Sequence, residues 1–302
     1  MDRLRREGAA VVALLRAGRR PWQQYAGLLE EAGSAVALLD RELGPSERAP
    51  HQQSLFDAAA AADQNADLDA IAGEIAAWEA GGLQLLTILD DGYPENLRGV
   101  HDRPPLIFVA GRLHPGDARS AAVVGTRRPS PAGQDAARSI AEHLAAAGYT
   151  VVSGLAAGID TAAHTATLAS GGRTVAVIGT GLKRTYPAQN ARLQRRIASE
   201  AAVVSQFWPD APPSRRSFPM RNAVMSGLTL ATIVVEAAHT SGSRMQARLA
   251  LAQGRPVFLH ELLRSQPWAV ELAARPGVHV ISAAAQITAT IERLTCSGAL
   301  TA

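Results

Sequence analysis

From Ala121 onward the sequence repeats one pattern: a short run rich in Val and Ala, a Gly- or Ser-bearing loop, a helical stretch, then the next run. AAVVG, YTVVS, TVAVIG, AAVVSQ, ATIVVE, RPVFLH and VHVIS follow one another about 25 residues apart, most of them separated by stretches such as AGQDAARSIAEHLAAAG and TAAHTATLASGG. Strand, loop, helix, strand at this spacing makes right-handed crossovers, and the sheet so built is parallel with helices on both faces. The fold class is therefore α/β. Ser130-Pro131 reads as an N-cap with proline at the first helical position, and Gly148 and Gly254 as helix-ending residues.

Two earlier runs, LQLLTILD and PPLIFVAGRL, read as strands leading into this region. Ahead of them Val12, Leu14, Leu15, then Leu28, Leu29, then Val36, Leu38, Leu39 recur at helical spacing between Gly18, Pro21, Gly27 and Gly33. They predict a small helical module over residues 1–43. Residues 44–70 are polar and alanine-rich with few apolar anchors, which predicts a long loop or partly ordered linker, with helical pattern returning at Leu68 to Ala80. Residues 71–302 make up the main domain. A 302-residue chain that is 47% hydrophobic can bury the core of one large α/β domain and a smaller one.

Composition excludes some classes. The single cysteine, Cys296, rules out intramolecular disulfides and any zinc site with two or more thiolates, and it fits a reducing cytosol. The basic start MDRLRREGAAVVALLRAG has its apolar run broken by Arg16, and no segment approaches the ~18 apolar residues of a membrane span. A cytoplasmic protein is expected. A net charge of +3 is too small an excess to identify a partner, so the placement of the arginines has to decide.

In a parallel α/β sheet the loops at the carboxyl ends of the strands share one edge, where ligands bind. Those loops read GTRRPS (125–130), SGLAAG (153–158), GTGLKRTYP (179–187), SQFWPDAPPSRRSFPMRN (205–222) and EAAHTSGSR (236–244). Four of the five have a small Gly/Ser-rich piece able to present backbone N–H groups, and four carry Arg or Lys: Arg127, Arg128, Lys183, Arg184, Arg215, Arg216, Arg221 and Arg244. Glycine nests on a basic edge point to phosphates in number. Only 13 of 302 residues are aromatic, yet Tyr186, Phe207, Trp208 and Phe218 fall within one 33-residue stretch of that edge. Any one of them can equally close the core beneath a long loop; together they favour a stacking platform for unpaired bases, worth roughly 1–3 kcal/mol per base.

The stretches VVGTRRPSPAG, VVSGLAAGIDTAAH, AVIGTGLKRTYPAQN, FPMRNAVMSGL and VVEAAHTSGS, with GYPENLRGVHDRPPLIFVAG before them, resemble the successive motifs of the DprA/Smf family of bacterial DNA-processing proteins, over about residues 83–260. The resemblance implies an extended Rossmann-like fold with a mixed edge, a homodimer, binding of single-stranded DNA without sequence preference, and loading of the RecA recombinase in natural transformation or recombination. By motif matching, Arg127 falls on the arginine of the family's G-S-R loop and Lys183 on its second basic DNA contact. Phe218, Arg221 and Asn222 fall on F-P-x-R-N, and Ser241 to Ser243 on S-G-S. The expected DNA-binding set is Gly125, Thr126, Arg127, Arg128, Ser153, Gly154, Gly158, Lys183, Tyr186, Phe218, Arg221, Asn222, Ser241, Gly242 and Ser243. The chain departs from the family at Ser205-Gln206, where a carboxylate is replaced, at Arg244 to Ala247, and at HELL, which stands where the family has Pro-Gly; no winged-helix tail is expected after it.

The same architecture also supports nucleotide phosphoribohydrolases or a mononucleotide sensor. The hydrolase needs a carboxylate at a glycine-rich turn. Glu236 is the one acid available there, since no Asp or Glu occurs between it and Glu261. Without a second carboxylate the chain is read as a binding protein with no catalytic residues, cofactor or metal. Asp160 and His164, spaced i, i+4, are read as a helix cap and a packed histidine. Finally, Gln52, Leu55 and Phe56 lie in a Q-x-S-L-F stretch that resembles the peptides by which bacterial DNA enzymes dock on the sliding clamp, against the simpler reading that Leu55 and Phe56 pin the loop.

Overall fold

The computed structural model describes residues 3–43, 53–239, 241–298 and 300, with residues 53–66 by their backbone alone. The chain divides into two compact units, Met1–Tyr93 with Pro104–Ile107, and Pro94–Arg103 with Phe108–Ala302.

The first unit holds α1 (Arg3–Ala17), α2 (Trp22–Ala32), α3 (Ala35–Leu43), α4 (Gln53–Ala80) and β1 (Leu83–Thr87). The apolar spacing read from the sequence becomes its core: Val12, Leu14, Leu15, Leu29, Leu38 and Leu39 are buried, joined by Leu68 and Ile75 of α4. Glu7 of α1 accepts from the Ser34 hydroxyl and from the backbone nitrogens of Ala35 and Val36. A carboxylate thus sits at the positive start of α3. Arg16 and Glu74 clasp α1 to α4 through two hydrogen bonds of 2.9 and 2.7 Å.

One expectation changes here. The stretch read as a loop or linker over residues 44–70 is helical from Gln53 onward, continuous with the helix read at Leu68 to Ala80. The cause is compositional: alanine is the strongest helix former, and a run of it needs no apolar stripe to hold helical geometry. Gln52 and the side chains of Leu55 and Phe56 lie outside the described residues.

The second unit is built on α5 (Glu95–Arg98), β2 (Leu106–Gly111, entering from the first unit), β3 (Ser120–Val124), α6 (Pro131–Ala146), β4 (Thr150–Ser153), α7 (Ile159–Ala169), β5 (Thr174–Val177), α8 (Ala191–Glu200) and β6 (Ala202–Ser205). It continues through α9 (Ser217–Leu228), β7 (Ala231–Val234), α10 (Gly242–Ala252), β8 (Val257–His260), α11 (Pro267–Ala273), β9 (Val278–Ile281) and α12 (Ala285–Cys296). Within this unit the strand order is β2-β6-β5-β4-β3-β7-β8-β9. All seven repeated runs pair in parallel, and β2 joins antiparallel to β6 with Phe108 opposite Ser205. The sheet is therefore parallel, as the spacing predicts, with the mixed edge that the resemblance implies.

Strands buried on both faces should read as continuous apolar runs, and they do: every residue of β3, β4, β5, β6 and β7 is buried. Their core is completed by Ile140 and Leu144 of α6, Ile159 of α7 and Ile287 and Ile291 of α12. The Ser130 hydroxyl accepts from Gly133 N and caps α6, while Gly148 and Gly254 take positive φ at 75° and 74°. From β3 the chain steps outward through β4, β5 and β6, then returns to lay β7 on the other side of β3. The loops after β3 and β7 therefore part in opposite directions, and this reversal opens a crevice at the carboxyl edge.

Candidate nucleic-acid interface

At that reversal lies a cleft of about 500 Å³. One wall is the β3–α6 loop with Gly125, Thr126 and the exposed Arg127 and Arg128; the opposite wall is the start of α10 with Ser241, Gly242 and Ser243; Phe218, Arg221 and Asn222 of α9 close it. Ten of the fifteen expected residues thus meet around one space. Gly154 and Tyr186 line a smaller recess of about 120 Å³ beside it, which shares Arg127, Ala156, Phe218 and Arg221 with the main cleft.

Three expected residues act from outside these walls. Ser153 is fully buried and donates to Val123 O at 2.6 Å, locking β4 to β3 beneath the cleft. Gly158 has φ 82°, and a Cβ there would stand 2.3 Å from Thr126 O, so only glycine lets the start of α7 approach the β3–α6 loop. Lys183 lies in neither cavity: its ammonium is 3.1 Å from Asp210 on the exposed rim, with Arg184 Nε bonded to Asp210 O beside it.

The loops are tied to one another. The Ser243 hydroxyl donates to Gly125 O at 2.9 Å, Thr126 N donates to Glu236 O, and Asn222 Nδ2 reaches Gly242 O at 3.4 Å. Ser241 caps α10 by accepting from Ser243 N. The N-termini of α7 and α10 both meet the cleft, and each adds partial positive charge there.

The floor carries Arg221, expected in the DNA-binding set, and Asp160, read from the sequence only as a helix cap; their shared burial is what the sequence did not show. Asp160 is 4% exposed and Arg221 6% exposed. Asp160 Oδ2 accepts from Gly154 N and Ala156 N at 3.1 and 3.3 Å. Its expected role as a cap of α7 is corrected: Gly158 holds the N-cap position, and the carboxylate, one residue into the helix, leans back toward the N-terminus and clamps the β4–α7 loop. Burial pushes its pKa above the ordinary carboxylate value, against the pull of the Arg221 charge and the two N–H donors. Burial in turn lowers the Arg221 pKa, countered by Asp160. The Arg221 guanidinium covers Gly154 so closely that a Cβ there would overlap it. An acid following the SGLAAG turn was the available signal. Met225 and Gln246 also line the cleft, and nothing in their sequence context marked them.

His164 is fully buried with Nδ1 2.7 Å from Thr174 Oγ1, as a packed histidine should be. Burial lowers its pKa to about 3. The four aromatics divide. The Tyr186 and Phe218 rings lie 5.7 Å apart at 50°, and Arg127 Cζ stands 5.7 Å from the Phe218 centroid. Trp208 instead packs edge-on against Phe108 of β2, and Phe207 is half-buried. Among the described residues no three His, Cys, Asp or Glu side chains converge as a metal set, and no helix is long and apolar enough to cross a membrane.

The DNA recombination-mediator protein A family matches residues 84–297. Protein Smf of Synechocystis sp. is 41% identical over 179 residues, 58% of this chain and 45% of that protein. DNA processing protein DprA of Streptococcus pneumoniae is 43% identical over 172 residues, 57% of this chain and 61% of that protein. The chain thus spans about half the length of the curated relatives it matches. DNA processing protein A of Helicobacter pylori, solved for its single-stranded DNA binding mode, superimposes with a TM-score of 0.62 at 26% identity, covering 71% of this chain and 96% of that one. With the glycine nests, the basic edge and the five ordered motifs all carried by the matched region, the chain belongs to the DNA recombination-mediator protein A family.

Proposed function

We propose that this protein binds single-stranded DNA through the cleft at the β3/β7 reversal, without catalysing a reaction on it. The observation that carries this reading is the joint arrangement of a glycine- and serine-lined cleft, exposed Arg127 and Arg128, and the Tyr186–Phe218 pair at its end. Backbone N–H groups and arginines suit phosphates, and an exposed ring suits an unpaired base, which a duplex hides. The single-stranded DNA binding named for the Helicobacter pylori relative supports the same substrate. Phosphate contacts and stacking are alike for every base, so long strands bind with little sequence preference.

Glu236 supports the non-catalytic reading, because its carboxylate is engaged by Ser130. The finer roles rest on the family: a homodimer that acts in the cytoplasm and assists RecA on the bound strand, in transformation or recombination. Docking on the sliding clamp through Gln52, Leu55 and Phe56 is a further part of this reading, tested with a peptide covering Pro50 to Ala58.

The deciding experiment is an equilibrium titration of the full chain with oligonucleotides of increasing length, single- and double-stranded, and with AMP. Affinity that rises with strand length, falls steeply with salt and favours single strands is expected. Saturation by AMP with no gain from added length overturns it in favour of a mononucleotide site.

A further inference from the structure

Past Tyr186 the carboxyl edge changes character. Asn190 Nδ2 donates to Leu155 O and to Thr161 Oγ1, which seats the start of α8 against α7 and the β4–α7 loop, and Gln194 Nε2, one turn further along, donates to Arg184 O. Helix α8 is thereby fastened to the loops that build the cleft. It buries Gln194 and Ile197 and leaves Arg192, Arg195 and Arg196 exposed. Arg192 and Arg196 stand at i and i+4 on one row with Arg195 beside them, and Gln189, three residues before Arg192, lines the small recess.

A second basic strip meets this one. Gly181 N donates to Ala211 O and Lys183 N to Pro209 O, so the β5–α8 and β6–α9 loops are laced together, and Arg215 and Arg216 are exposed between that lacing and Phe218. Asp210 pairs with Lys183 at 3.1 Å and Glu200 with Arg196 at 2.8 Å, and both pairs are exposed. Among the described residues no acid pairs with Arg192, Arg195, Arg215 or Arg216.

What this surface lacks decides its ligand. Tyr186 is the one exposed aromatic ring among the described residues, and α8 contains none. A single strand gains affinity from stacking as well as from its phosphates, and on a ringless surface it has to be ordered for charge alone. A duplex hides its base faces in any case, arrives already ordered, and carries one phosphate per ~1.7 Å of axis. Guanidinium groups without rings therefore suit a duplex backbone better than a continuing single strand.

We propose, building on the single-strand reading above, that α8 and the Arg215-Arg216 strip form a second site, for the phosphates of a duplex that flanks the strand held in the cleft. The ligand that fills both is a junction: single strand across the glycine loops and Phe218, double strand against Arg192 and Arg195. A blunt duplex meets only the second site and binds more weakly.

The full chain is titrated at about 50 and about 200 mM salt with a single strand of about twelve nucleotides, with the same strand carrying about one helical turn of duplex at its 5′ or its 3′ end, and with a single strand as long as the tailed ligand. Arg192→Ala/Arg195→Ala is expected to bind at least one tailed duplex roughly tenfold more weakly than the parent at the lower salt, with most of the difference gone at the higher, since each lost contact takes about 0.9 from the slope. Both single strands stay within about twofold of the parent. Neither arginine has an acid partner, so the melting temperature is kept, and Arg192→Lys/Arg195→Lys retains most of the affinity because a phosphate accepts either cation. Unchanged affinity of the alanine variant for both tailed duplexes overturns the second site alone. A variant that weakens the long single strand as much as the tailed duplex also overturns it, and gives the surface to a continuing strand. Failure of every single strand to bind the parent overturns the cleft reading, and this one with it.

Discussion

The Glu236 carboxylate, two residues past the end of β7, accepts two hydrogen bonds from Ser130, 2.9 Å from its backbone nitrogen and 3.0 Å from its hydroxyl. One acid therefore joins the loops on either side of the strand-order reversal. Glu236→Ala leaves both donors with reduced partners, and a loss of about 1.5–3 kcal/mol in urea unfolding is expected. On the proposed binding reading, the same relationship makes Glu236 a fastener and not an acid catalyst. Free base released from AMP by the parent, at a rate abolished in Glu236→Gln, would contradict this.

Phosphate and base contacts separate by their salt dependence. Arg127→Ala with Lys183→Ala is expected to weaken binding to every single strand tested and to lower the salt slope by about 0.7 per lost phosphate contact. The Lys183–Asp210 pair is exposed, so releasing Lys183 to a phosphate costs little. Unchanged affinity of the double variant at moderate salt would refute the assignment of this edge.

Phe218→Ala removes a ring that Arg127 and Tyr186 both approach. Affinity should fall by roughly 1–3 kcal/mol with the salt slope nearly unchanged, because stacking releases no counterions. A slope that drops as much as in the arginine-lysine variant would mean that Phe218 acts only by placing Arg127.

His164 links stability to pH. Its pKa falls to about 3 in the fold, through burial first, opposed by a hydrogen bond to the Ser153 backbone and helped to a smaller extent by the Arg221 charge. The unfolded chain takes up this proton near pH 6.5 and the folded chain does not, so the stability is complete above that value and is lost as pH falls toward 3. About 2 kcal/mol disappears from this group between pH 7 and pH 5. Asp160, raised in the fold, gives a slope of the opposite sign just above its ordinary value. Comparing urea midpoints of the parent and His164→Asn at the two pH values isolates the histidine, and the variant should show the smaller drop.

Gly158→Ala tests the approach of α7 to the β3–α6 loop. At φ 82° with Thr126 O only 2.3 Å from the new Cβ, the loop has to move as well as strain. A cost of at least about 1–3 kcal/mol is expected, with weaker DNA binding measured at a temperature where the variant is folded. Wild-type affinity and melting temperature together would show that the contact is dispensable.

The seven strands and the carboxyl-edge loops were legible because strands buried on both faces require unbroken apolar runs, and their spacing leaves room for little except a crossover helix. Ser130 and Gly148 were readable for the same kind of reason, since a cap and a positive φ restrict residue type locally. The limits are as physical. Residues 53–69 form helix through alanine propensity, which leaves no apolar stripe to detect. Trp208 and Tyr186 look alike in composition, and only the pairing of β2 with β6 turns the first toward Phe108. Asp160 and Arg221 lie 61 positions apart, and their common burial is a product of the sheet order, which brings β4 beside β3 and lays α9 across the same edge.

The cross-ties from Ser243 to Gly125 and from Glu236 to Ser130 have a thermodynamic consequence. The entropy lost in ordering these loops is charged to folding. On the proposed binding mode, association of a strand then needs no closing step, so its rate is expected to follow diffusion and the attraction of the arginines for phosphate, with differences between strands residing in how fast they leave.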